Sequence, residues 1–176
     1  VSRADIVVVT KCPRDMKPID VNVVKKKLNL AKWQKVLFST YKYKDLLPVF
    51  SGENAYQPDL NWMNSNDTIL VVTGIANPVP MVKYLKQYKA KVKVIHFNDH
   101  HDFSREDLDF ILKTYNKLVG DRKFIVTTEK DAVRLINNAY FPHVLRKQMF
   151  YLPIEVEDDD FINLVVSKIT RDKQLG

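Results

Sequence analysis

A chain of 176 residues, 45% apolar and 28% charged, is long enough to bury a core without staples and too apolar for global disorder. Its single cysteine, Cys12, excludes an internal disulfide and favours a reducing compartment, and no run approaches the ~20 apolar residues of a spanning helix. A net charge of +7 favours an anionic partner, yet the four glycines form neither a G-x-x-x-x-G-K-[ST] nor a G-x-G-x-x-G phosphate loop.

The chain opens Val1-Ser2-Arg3 without Met, just before a buried-type strand, as expected of a cut through a larger fold. Ile6-Val7-Val8-Val9 is a continuous β-branched run and predicts a strand buried on both faces. Pro13 and Pro18 frame a loop, and Asp20 is placed to cap a helix through Leu28. Residues 35–43 predict one strand. Within 25–44, lysines interleave with Trp33, Phe38, Tyr41 and Tyr43. Such a surface suits a phosphate ligand, nucleic acid or an anionic membrane; the plainer reading is a solvated face whose lysines block edge pairing. Turn residues and scattered aromatics over 51–67 predict an ordered connector.

The pattern then becomes regular. Residues 68–72 predict a strand, 74–78 a loop, 80–88 a helix and 92–97 another strand. Ser104 with Asp107 makes a capping box for a helix bearing Leu108, Ile111, Leu112 and Tyr115. Residues 124–126 predict a strand, and Thr128 with Asp131 a second capping box for a helix through Leu135. A strand over 149–152, an acidic loop of Glu155, Glu157, Asp158, Asp159 and Asp160, and a helix over 160–169 complete the reading. Alternating strands and helices predict a mostly parallel α/β sheet, with loops 73–78, 98–104 and 127–131 gathered along one edge. Three segments are expected: 1–50 with the basic stretch, the connector 51–67, and an α/β lobe over 68–176.

Asp99-His100-His101-Asp102 lies where a strand ends and a helix begins. An imidazole accepts a proton near neutral pH, and a carboxylate beside it can orient the ring, so this cluster can deprotonate or orient a hydroxyl. Capping residues at a strand–helix junction, or a metal site of unspecific spacing, are the competing readings. Thr127-Thr128-Glu129-Lys130-Asp131 opens a helix whose first amides, with the Lys130 charge, suit a phosphate or carboxylate, although Thr128 and Asp131 already account for a cap. Lys11 ends a strand in a similar Thr-Lys pair, where it can lie along a nucleotide base or be simply solvated.

Four segments together resemble the C-terminal half of the tetraacyldisaccharide 4'-kinase family, the lipid A 4'-kinases. They are Ala4 to Pro13 (ADIVVVTKCP), Thr73 to Pro78 (TGIANP), Phe97 to Phe103 (FNDHHDF) and Val126 to Leu135 (VTTEKDAVRL). The resemblance implies a P-loop NTPase-like, three-layer α/β fold of which this chain is a truncated C-terminal part. It implies phosphoryl transfer from ATP, with Mg2+, to the 4'-hydroxyl of tetraacyldisaccharide 1-phosphate at the cytoplasmic face of a bacterial inner membrane. His100 would take a base-side or substrate-orienting role and Asp99 would shape the same pocket. Lys11, Thr128, Glu129 and Lys130 would lie near the nucleotide, and no metal ligand is assigned here. The nucleotide cradle and magnesium carboxylates would belong to an N-terminal domain acting as partner, so this part alone is expected to be inactive. Ala76 replaces the second glycine of the family's Gly-Ile-Gly-Asn-Pro loop, adding a methyl where backbones pack closely. The alternative is a nonenzymatic module binding anions or nucleic acid through 25–44; no RNP-like strand or recognition helix supports it, and no nucleic acid is expected.

Overall fold

Ile6–Val9 (β1) pairs in parallel with Lys35–Phe38 (β2), joined by a helix over Pro18–Leu28 (α1). The computed structural model describes residues 3–53 and 56–157, together with Asn163 and Val166. All four β1 residues are half-buried rather than enclosed on both faces, because among the described residues this sheet has two strands. Asp20 is the third residue of α1, not its cap; its carboxylate accepts from the Lys17 backbone N–H at 3.1 Å, the return half of a capping box. Lys25, Lys26 and Lys27 fill the last turn, where the helix dipole favours cations.

The strand expected over 35–43 is two strands. Ser39 breaks it: the residue is buried, its N–H donates to Val9 O at 2.8 Å and its carbonyl accepts from Cys12 N–H at 3.0 Å. Beyond it Thr40–Tyr43 (β3) takes a different partner, running antiparallel to Ile154–Glu157 (the ninth strand, β9). The acidic stretch is therefore partly strand, not loop. Glu155 and Glu157 alternate along β9 and receive Lys42, at 2.8 and 3.5 Å, so part of the basic segment is neutralised from within. Residues 158–160 and most of the expected terminal helix lie outside the described residues.

The chain divides into two compact units, one drawn from 1–43 and 154–176, the other from 44–153. These units cross the segments expected from composition, because β9 returns to pair with β3. In the second unit, Leu47–Pro48 (β4), Thr68–Thr73 (β5), Lys91–His96 (β6), Lys123–Thr128 (β7) and Met149–Leu152 (β8) form one sheet in the order β4-β8-β7-β5-β6. β4 is antiparallel to β8 and every other pairing is parallel, so the sheet is mixed. Val79–Leu85 (α2), Arg105–Asn116 (α3) and Glu129–Ile136 (α4) are its crossovers.

All six residues of β5 are buried, as an apolar central strand requires. Leu70, Val72, Ile125, Leu108, Ile111 and Leu135 make the core with Phe103 and Met149. Val49 and Phe50 join it, and Leu46, Leu60 and Met63 are also buried, so the described part of the connector is an ordered piece of this unit. The chain leaves β5 toward β6 on one side and leaves β7 toward β8 on the other. Adjacent strands departing in opposite directions open a crevice at their carboxyl ends, where open α/β sheets place their ligands.

Candidate functional site

At that crevice the three expected loops meet. Gly74 N–H donates to Asp131 Oδ2 at 2.9 Å, and the Gly74 carbonyl accepts from His100 N–H at 3.2 Å. Gly74 permits this approach by lacking a side chain: a Cβ there would stand 3.2 Å from the Cβ of His101 and 3.3 Å from Asn98 O. Asp131 is fully buried, and the same Oδ2 also accepts from the hydroxyls of Thr73, at 3.2 Å, and Thr128, at 2.8 Å. One carboxylate thus ties the ends of β5 and β7 to the start of α4. Thr128 caps that helix by accepting from Asp131 N–H at 3.1 Å, but the side chain of Asp131 serves the hub instead of closing a second capping box.

His100 sits at φ 61°, a left-handed conformation uncommon for any residue but glycine. Its N–H is held by Gly74 O and by its neighbour Asp99 Oδ1, at 3.0 Å, and the turn carries the ring outward, with its side chain 71% exposed. His101 faces the other way. Its ring stacks on Phe97 with centroids 4.6 Å apart, and its Nε2 lies 2.8 Å from Asp107 Oδ2. Asp107 also accepts from Ser104 N–H and Oγ in the capping box of α3, so one carboxylate anchors both helix start and loop. Burial pushes the Asp107 carboxyl up, but the hydrogen bonds from His101 and Ser104 outweigh it and hold it below its ordinary value.

Three charged groups surround the His100 ring. Asp99 Oδ2 lies 3.6 Å from Nε2, Lys130 Nζ lies 3.4 Å from Nε2 and 3.5 Å from Asp99 Oδ1, and an Arg134 guanidinium nitrogen lies 3.3 Å from Nδ1. Partial burial pushes Asp99 up, yet the charges of His100 and Lys130 and their hydrogen bonds hold its carboxyl below its usual value. Asp99 is thus an anion at neutral pH. An exposed imidazole beside a carboxylate and two cations can orient a hydroxyl and hold an oxyanion near it.

Of the residues singled out in the sequence, Asp99, His100 and Lys130 come together. Thr128 lies beside them with its hydroxyl committed to Asp131, and Glu129 is exposed at the helix start. Lys11 belongs to the first unit, exposed at φ 60° after β1. Arg134 and the hub role of Asp131 are additional. The spacing of Lys130 and Arg134, four apart on one helix face, is the signal that points to the first. Among the described residues no group of three or more His, Cys, Asp or Glu could hold a metal ion.

Comparison with known proteins identifies a family. A family model described as tetraacyldisaccharide-1-P 4'-kinase matches residues 1–170. The tetraacyldisaccharide 4'-kinase of Bacteroides thetaiotaomicron is 44% identical over 161 residues, covering 89% of this chain and 42% of that protein. The protein of that name from Bacteroides fragilis is 37% identical over 181 residues, covering 99% and 48%. The chain therefore spans less than half the length of these curated relatives. A crystal structure of LpxK from Aquifex aeolicus in complex with ATP shares 13% identity at a TM-score of 0.45, covering 94% of this chain and 52% of that one, too distant a likeness to transfer geometry.

Proposed function

The chain belongs to the tetraacyldisaccharide-1-P 4'-kinase family, and on that premise we propose that it is the C-terminal part of an ATP-dependent kinase acting in lipid A biosynthesis. The full-length enzyme would transfer the γ-phosphate of ATP to the 4'-hydroxyl of tetraacyldisaccharide 1-phosphate. The observation that carries the reading is the outward-facing His100, bracketed by Asp99, Lys130 and Arg134 at a topological switch point of the sheet. Phosphoryl transfer asks a protein mainly to position the reactants and stabilise spreading negative charge, and this group of residues suits both tasks.

In this reading the ring of His100 orients the acceptor hydroxyl, and Asp99 shapes the pocket around it. Lys130 supplies a point charge toward phosphate oxygens. Thr128 and Glu129 form the wall at the start of α4, and Lys11 keeps the nucleotide-side role that the family resemblance implies. The donor set fits the phosphates of ATP but not its metal: cations dominate it, and no metal-holding group exists among the described residues. Mg2+ and most of the nucleotide are therefore assigned to an N-terminal domain with a P-loop NTPase-like three-layer fold, and no step here is routed through the metal.

No helix among the described residues is long and apolar enough to cross a membrane. As the family resemblance implies, the enzyme in this reading meets its lipid peripherally, at the cytoplasmic face of the inner membrane, with the basic segment 25–44 toward anionic headgroups. The test is phosphate transfer from γ-labelled ATP to tetraacyldisaccharide 1-phosphate by the full-length protein. Labelled bisphosphate product supports the assignment, and its absence with active protein in hand rejects it. Residues 1–176 alone are expected to give none.

A further inference from the structure

We propose that Arg134 is a positioning residue that fixes the protonation pattern of the His100 ring, an inference that rests on the kinase reading above. Two cations approach the ring, one at each nitrogen: Arg134 stands 3.3 Å from Nδ1 and Lys130 stands 3.4 Å from Nε2. Both can only donate, whereas a neutral imidazole has one nitrogen able to accept. The two contacts therefore compete, and the surroundings decide which is kept.

Arg134 is the better-held donor. Its side chain is 24% exposed, its NH1 lies 3.5 Å from the buried Asp131 Oδ1 and 3.4 Å from the His101 carbonyl, and its planar fork spends NH2 on the ring without giving up either. Lys130 is 44% exposed on a flexible stem and has another acceptor, the anionic Asp99 Oδ1 at 3.5 Å. A carboxylate is the stronger acceptor for an ammonium, so Lys130 goes to Asp99 and Arg134 keeps Nδ1. The single ring proton then resides on Nε2, on the side of Asp99. His100 presents an N–H donor at its exposed edge, and Asp131 acts through Arg134 to hold that edge in place.

The test uses full-length protein labelled with 15N at histidine, with H100A identifying the His100 resonances. Wild-type spectra at neutral to mildly alkaline pH are expected to show the Nε2–H tautomer, with Nδ1 shifted as a hydrogen-bond acceptor. In R134M the Nδ1 signal should move toward that of an unbonded ring nitrogen, and turnover should fall about tenfold with KM for both substrates within twofold. R134K should restore only part of the turnover, because one ammonium cannot reach Asp131 and the ring together. An Nδ1–H tautomer in the wild type, or an unmoved Nδ1 signal in R134M, overturns the inference. The spectra do not depend on which reaction is catalysed. A kinase assignment lost with H100A fully active would therefore leave the ring geometry measurable, and an unmoved signal beside an inactive H100A would sink the Arg134 inference alone.

Discussion

Removing the carboxylate of Asp131 should unfasten the crevice. In Asp131→Ala the buried Gly74 N–H loses its acceptor, the hydroxyls of Thr73 and Thr128 lose theirs, and Arg134 loses its buried counter-charge. The hydroxyls can rotate to other acceptors and Arg134 is partly solvated, so the stranded amide dominates. An unsatisfied buried donor costs about 1–3 kcal/mol, and the weakened ion pair adds up to about 1 kcal/mol, for a loss of roughly 3 kcal/mol. Asp131→Asn keeps an acceptor oxygen and should lose about half as much. With a urea slope of about 2 kcal/mol/M, the alanine variant should unfold near 1.5 M lower, as followed by circular dichroism. Hydrogen exchange at the Gly74 amide should speed up in step. A midpoint within about 0.25 M of wild type, or asparagine harming more than alanine, would refute the reasoning.

Gly74→Ala should cost about 1–3 kcal/mol, because its methyl presses against His101 Cβ and Asn98 O, and the displaced 98–101 loop should appear as amide shift changes at His100 in the NMR spectrum; an unshifted loop would contradict the close approach. The hydrogen bonds from Arg122 hold the Asp67 carboxyl below its ordinary value against the opposing effect of burial. A depressed carboxyl stabilises the fold above its unfolded value of about 3.9 and loses that contribution as pH falls through the lower folded value. Urea midpoints of wild type should therefore drop on acidification below about pH 4 more steeply than those of Asp67→Asn, and parallel curves would remove the claim. Alanine at Lys25, Lys26 and Lys27 together should weaken binding of the full-length protein to anionic vesicles at low salt by about a hundredfold, at about 1 kcal/mol per lysine. Unaltered binding would detach the basic segment from the membrane.

Much of the second unit was legible because its signals are local. The β-branched run at 68–72, the Ser104–Asp107 box and the Thr128 cap each depend on neighbours within four residues, and each stands within a residue or two of its expected place. The gathering of three loops at one edge followed from the handedness of crossovers, which needs only the order of elements. What escaped was long-range. Asp131 looks like half of a capping box until Gly74, 57 residues away, is seen donating to it. Ile154-Glu155-Val156-Glu157 does alternate apolar and charged residues, but the signal is only four residues long and runs into further acidic residues. Its partner β3, with Lys42, lies more than a hundred residues away. The break at Ser39 is likewise a matter of partners, since β2 and β3 pair with different strands. His100 stood out in the sequence as a titratable group at a strand end, but its left-handed backbone and its bracket by Lys130 and Arg134 required the folded chain.

The central claim is that the exposed imidazole at the end of β6 works on the acceptor hydroxyl. Its most direct test is the turnover of His100→Ala in the full-length enzyme, measured at saturating ATP and lipid with the fold checked by circular dichroism. A hydrogen-bond donor positioned at the reacting oxygens contributes about 10²–10³-fold, so kcat should fall at least about a hundredfold while KM for ATP changes little. A folded variant with kcat within twofold of wild type would contradict the account.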